Sequence, residues 1–194
     1  MTVINFTDIE TTGLEQAKGH RIIEICCSTY IAATRKKVFT WTKRINPMRS
    51  IDAKAQAVHK ISLADLAGCP TWDVVAPDVA KILGRTALLV AHNGNSFDFP
   101  FIGMELMRIG ITPPDIQSFD TMVEGRWATA TGKVPTLGEL AYACDVPYDP
   151  EAAHAAEYDV DVMAECFWRG VDFGFFKPAI EIPAVSPAPL AIAA

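Results

Sequence analysis

No apolar stretch of the 194-residue sequence approaches the ~20 residues that a membrane-spanning helix requires. The one early apolar run is broken by Asp8 and Glu10, so no secretory leader is expected. Cysteine is scarce and poorly placed for its structural uses. There are five, with Cys26 and Cys27 adjacent, Cys69, Cys144 and Cys166 scattered, and no CxxC pair. That argues against a zinc framework or a disulfide scaffold and predicts reduced, mostly buried thiols in a cytoplasmic protein. An excess of positive charge is missing too. A formal charge of −6 argues against a protein that coats nucleic acid by electrostatics alone. It leaves room for an enzyme that brings its own cations. There is no internal repeat. Glycine is absent from residues 177–194, KPAIEIPAVSPAPLAIAA, whose four prolines predict an extended, disordered tail.

What is present suits one domain with a full core, residues 1–176, followed by that tail. Runs rich in β-formers at 2–7, 21–33 and 37–45 predict three neighbouring strands, the last two a hairpin. Further strands are predicted at 86–91 and 116–119. Helical patterns occupy 52–60, 62–67, 73–83, 97–109, 120–130, 136–144 and about 156–170. Strands first, then strands alternating with helices, predict an α/β fold: a mixed five-stranded sheet flanked by helices.

Three acidic stretches stand out. In FTDIETTGL, Asp8 and Glu10 lie two apart at the end of a strand, so they project to the same side. A bare D-x-E pair is also a polar strand terminus running into a turn. As hard oxygen donors on a rigid element, the two suit a divalent cation. In LLVAHNGNSFDFPFI a buried strand leads through a polar loop to Asp98, set among Phe97, Phe101 and Ile102. A charge among such neighbours needs a partner; a helix-start aspartate on the N-terminal dipole is the alternative. In HAAEYDVDVMAECFWRG, Asp159 shares a helix side with Met163 and Cys166. Asp161, Glu165 and Arg169 fall at i, i+4 and i+8 on a solvated, ion-paired face. Asp159 is therefore the inward acid. His154 reaches the same place only from a loop or first turn, and a lone histidine there also reads as a capping or surface residue. Four carboxylates can hold two Mg²⁺ ions, with Mn²⁺ as a substitute, to activate a water and stabilise a leaving oxygen. A rim histidine can take the water's proton near neutral pH.

The order of these motifs resembles the DEDDh 3′→5′ exonucleases, the family of the epsilon proofreading subunit of bacterial replicative DNA polymerase and of the three-prime repair exonucleases. The resemblance spans roughly residues 3–171 and rests on DIETTGL, HNGNSFDFPFI and HAAEYD, with NPMRSIDAKAQAVHKIS and PTLGELA as supporting segments. It implies a ribonuclease H-like fold and release of nucleoside 5′-monophosphates from a nucleic acid 3′ end. By the same resemblance Asp8, Glu10, Asp98 and Asp159 are the metal ligands and His154 the general base. The superfamily's tyrosine branch has Tyr where Ala155 stands here, so the histidine branch fits. The backbone around Thr11 and Thr12 would hold the 3′-hydroxyl, and Leu14 would wedge against the last base. Val58 and His59 would pack near the terminal nucleotide, with a surface histidine as the alternative for His59. Asn93 would order the loop beneath Asp98, and Asp120 would cap a helix. DNA is favoured as substrate, but the motifs do not exclude RNA, which is told apart by one or two contacts to the 2′-hydroxyl. An inactive binding module would be expected to have lost a ligand, and none is lost. HNGNSFD is one residue longer than the form associated with epsilon-type members. The tail offers a docking segment for a polymerase subunit or other replication protein, or is simply a disordered end. The basic cluster at 35–44 reads either as a DNA-facing stripe or as the solvated side of an edge strand.

Overall fold

The computed structural model describes residues 1–183. Five strands form one mixed sheet: β1 (Val3–Thr11), β2 (Ile22–Ile31), β3 (Lys36–Arg44), β4 (Leu88–Ala91) and β5 (Gln117–Asp120). Their order is β3-β2-β1-β4-β5. The first three strands run antiparallel as a meander, while β4 and β5 join parallel to β1 after helical crossovers. The helices are α1 (Ala53–His59), α2 (Leu63–Leu66), α3 (Trp72–Leu83), α4 (Asp98–Arg108), α5 (Thr121–Glu124), α6 (Leu137–Ala143) and α7 (Ala156–Asp172).

Strand alternation divides the core into two layers. Ile4, Phe6, Cys26, Leu88 and Val90 point to the face covered by α6 and α7. Ile9, Ile25, Cys27 and Leu89 point to the face covered by α3 and α4. Phe6 anchors the first layer, with its ring edge-on to Tyr30 at 5.0 Å, Phe167 at 5.3 Å and Trp168 at 5.8 Å. Such T-shaped contacts add to the burial of large rings, and truncating a buried phenylalanine costs about 3–5 kcal/mol. All five cysteines are free, and four are buried. Among the described residues no helix is long and apolar enough to cross a membrane.

Three elements differ from the sequence expectation. β1 continues to Thr11, so Asp8 and Glu10 lie within the strand and not at its end. The ladder to β2 carries it on, pairing Asp8 with Cys26 and Glu10 with Glu24. The helix expected over 120–130 is one turn of α5 followed by a 3-10 turn, Gly125–Ala128. Gly125 packs closely under Pro135, with room for a side chain only if the ring shifts. The tail's beginning is not free of the domain: residues 177–183 form no helix or strand, yet Ile180 and Ile182 pack against the first core layer. Residues 184–194 of that expected tail lie outside the described residues.

Candidate active site

β1 is the central mount. Asp8 and Glu10 follow Ile4 and Phe6 in the same alternating row, so both carboxylates emerge on the α7 face, just beyond the aromatic core. Glu10 sits opposite Glu24, a like-charge pair that is unfavourable by itself. Arg44, opposite Glu24 on β3, donates through Nε to the Glu24 carboxylate at 2.8 Å and offsets that repulsion.

Asp98 is the first residue of α4 and only 2% exposed. The loop that delivers it is tightly folded. Asn93 has φ of 69°, and its carbonyl accepts from the N–H groups of Ser96 and Phe97 at 3.2 and 3.0 Å. Gly94 is required there, because a Cβ would collide with the Phe99 ring and Ala91. Asp120 caps α5 as expected, accepting from Met122 and Val123. It also accepts from the backbone of Asn93 and Asn95, which the sequence did not suggest.

Asp159 lies in the first turn of α7, and its Oδ2 accepts from the His154 backbone N–H at 2.9 Å. His154 is exposed in the turn before that helix, with φ of 65°. Asp161 faces away and pairs with Lys37 at 2.7 Å, while Glu165 pairs with Arg169. Arg35 pairs with Asp172. Two cations of the basic cluster, Arg35 and Lys37, are thus engaged by acids of α7 and a third, Arg44, by Glu24 of β2.

One cleft of about 480 Å³ is lined by Asp8, Glu10, Asp98, His154 and Asp159 together. Leu14, 78% exposed, and Val58 stand on its walls. His59 is also there but is no surface residue; it is 6% exposed. The Ile61 N–H donates to its Nδ1 at 3.0 Å, so Nε2 carries the proton of the neutral ring. Burial lowers its pKa from the ordinary histidine value, partly offset by the Thr11 backbone. Nε2 has no partner among the described residues. Thr11, Thr12 and Asn93 do not line the cleft. The Thr11 hydroxyl donates to the Gly13 carbonyl, and Thr12 Oγ1 lies 3.0 Å from Nδ1 of buried His20 while accepting from the Arg21 N–H. These threonines brace the loop from behind.

Sequence reasoning missed His20, Asp52, Lys54, His92 and Phe97, all of which line the cleft. Lys54 and Val58 are i, i+4 on α1, so a helical projection from Val58 would have found that lysine. Nothing in the local pattern marks His20. Another groove of about 430 Å³ lies between β3 and α3, lined by Phe39, Trp41 and Arg85, far from the acid set.

The electrostatics follow from crowding. Burial, then the neighbouring carboxylates of Asp98, Glu10 and Asp159, pushes Asp8 well above the usual carboxylate range. Burial, then Asp159, Glu24 and Asp98, pushes Glu10 up to about 8. Asp98 rises to about 7, chiefly by burial. Asp159 rises for the same reason, partly offset by the His154 backbone N–H. Negative groups gathered in this way call for cations. Asp98 Oδ1 and Asp159 Oδ1 are buried and unpartnered among the described residues. All the oxygens are hard donors, as Mg²⁺ and Mn²⁺ prefer. Among those residues, no three acids, histidines or cysteines converge on one point as they stand. The fit to divalent ions rests on donor chemistry and the two unpartnered oxygens.

The exonuclease family model RNase_T matches residues 6–167. The chain belongs to this exonuclease family. Relatives agree with the assignment. The chain is 30% identical over 167 residues to DNA polymerase III subunit epsilon of Rickettsia typhi, spanning 82% of this chain and 70% of that one. It is 30% identical over 160 residues to the 3′-5′ exonuclease DinG of Bacillus subtilis, spanning 82% of this chain but only 16% of DinG. Escherichia coli exonuclease I, solved in complex with a dT13 oligonucleotide, superposes with a TM-score of 0.75 at 15% identity, over 90% of this chain and 43% of that one. That likeness establishes the ribonuclease H-like fold of the exonuclease.

Proposed function

We propose that the protein is a metal-dependent 3′→5′ exonuclease that hydrolyses DNA from its 3′ end and releases nucleoside 5′-monophosphates, in proofreading or repair. The observation that carries this reading is the meeting of Asp8, Glu10, Asp98, Asp159 and His154 in one cleft from three separate elements. The four carboxylates would hold two divalent ions, Mg²⁺ or Mn²⁺, which would supply an activated water and charge stabilisation at the leaving oxygen. His154, exposed at the cleft wall, accepts the proton of the attacking water; such a base contributes about 10²–10⁴-fold. Leu14 and Val58 flank the terminal nucleotide, and His59 offers its Nε2–H to it. Lys54 places a cation on the same wall for the phosphate backbone.

DNA as substrate is supported by relatives named as DNA polymerase III subunits and by the oligonucleotide bound to exonuclease I. The test is incubation of purified protein with 3′-labelled single-stranded DNA and Mg²⁺, beside matched RNA and duplex substrates. Mononucleotides are expected, with Asp8→Ala inactive. Full-length DNA remaining, or Asp8→Ala as active as its parent, refutes the proposal. Faster digestion of RNA moves the substrate class and keeps the chemistry. The names of these relatives also support a polymerase subunit as partner, and we assign its docking to the tail, residues 177–194, in the cytoplasm. Unchanged binding to such a subunit after deletion of 177–194 refutes that role.

A further inference from the structure

Asp120 is 2% exposed, and among the described residues no Lys, Arg or His side chain pairs with it. The hydrogen-bond donors to its carboxylate are all backbone N–H groups. Oδ1 accepts from the N–H groups of Asn93 at 3.0 Å, Met122 at 2.9 Å and Val123 at 3.2 Å; Oδ2 accepts from Asn95 at 3.0 Å. Two of these donors belong to the helix that Asp120 caps. The other two lie about 25 residues earlier, in the loop between β4 and α4. The sheet makes this reach possible, because Asp120 ends β5 in register with Ala91, the last residue of β4. A helix cap needs one or two acceptor contacts. The remaining contacts fasten the loop whose next helical residue is Asp98.

We propose that Asp120 is a positioning residue for Asp98: its carboxylate clamps the 92–97 loop to the end of β5 and thereby fixes where the Asp98 carboxylate stands in the cleft. The inference rests on the metal-site reading above. Groups that hold a metal ligand in place are felt in metal affinity even though they never touch the ion. Phe101 and Ile102 pack the helix side of Asp98 into the α3–α4 layer, and Asp120 holds the loop on its other side.

The test separates clamp from cap. Asparagine caps a helix as well as aspartate. In Asp120→Asn, however, one oxygen becomes an NH₂ group, which meets the Asn95 N–H donor to donor. Mn²⁺ binding is titrated calorimetrically for the wild type, Asp120→Asn, Asp98→Asn and a destabilised core variant, Leu140→Ala, alongside thermal melts. Amide exchange at Asn93 and Asn95 is followed in the wild type. Expected are slow exchange at both amides and a thermal midpoint of Asp120→Asn lowered by less than that of Leu140→Ala, since one buried unpaired donor costs less than the cavity left by a core Leu→Ala. Its Mn²⁺ affinity should be about 10- to 100-fold weaker, while Leu140→Ala keeps its affinity despite a lower midpoint. Fast exchange in the wild type overturns the clamp whether or not the variant folds. Mn²⁺ affinity unchanged in Asp120→Asn but lost in Asp98→Asn overturns the positioning role alone. A wild type that binds no Mn²⁺ overturns the metal-site reading and this inference with it.

Discussion

Replacing Arg21 by methionine tests what holds the two halves of the acid set in register. Arg21 precedes β2 and donates in a two-pronged grip to Glu105 of α4, Nε to Oε1 at 2.6 Å and Nη2 to Oε2 at 2.9 Å. Arg108 donates to Oε1 at 2.8 Å, and the Trp72 indole N–H donates to the Glu105 carbonyl at 2.9 Å. The Glu105 side chain is 2% exposed and that of Arg21 24%. Breaking a buried pair from one side typically costs about 3–5 kcal/mol, because the remaining charge stays out of water. Here Arg108 remains, and Arg21 keeps some contact with solvent. The loss should therefore sit below that range, at about 2–3 kcal/mol. For a chain of this size each kcal/mol moves the melting temperature by about 2–4 °C, so Arg21→Met should melt about 4–12 °C lower. The double variant Arg21→Met/Glu105→Leu should recover part of that, because no unpaired carboxylate is left behind. Urea denaturation of the four proteins of the cycle measures both quantities. A single variant that melts with its parent, or single effects that simply add, would refute the reasoning.

Other expectations are as direct. A Cβ on Gly13 would overlap the His20 imidazole, so Gly13→Ala should cost about 1–3 kcal/mol in urea and raise KM by displacing Leu14. Asp161→Asn should keep full nuclease activity while Asp159→Asn loses it; equal loss in both would reverse the assignment of the inward acid. In EDTA, stability should fall as pH rises. The folded state holds protons on Asp98 up to about 7 and on Glu10 up to about 8, while the unfolded carboxylates release theirs near their ordinary values. The folded state thus binds more protons in that window, and each is lost as pH passes through 7–8. Melting temperatures that are level from pH 5 to 8 would count against the crowding, and Mn²⁺ should remove the fall in the wild type.

Local periodicity made much of the fold legible. The period of two put Asp8 and Glu10 on one side, and the i, i+4 spacing set Asp161 apart from Asp159. The hairpin and the long helices were visible in the same way. What was not legible depends on partners far along the chain. β1 runs past its acids because β2 pairs with it through Thr11. His59 is buried by a turn that bends its own backbone onto the ring, which no apolar stripe announces. The extra bonds of Asp120 span 25 and 27 residues, and the grip of Arg21 on Glu105 spans 84. A short polar residue reads as a cap from its neighbours alone; its distant work appears only when strands lie side by side.

The division of the core into two layers has a kinetic corollary. Asp98 belongs to a helix of one layer, Asp159 to a helix of the other, and β1 runs between them. Neither layer alone assembles the cleft. Recovered activity during refolding should therefore trail both layers, appearing only with the later of the two to dock. An intermediate with one layer formed would be compact, with its one buried tryptophan shielded from water, and inert.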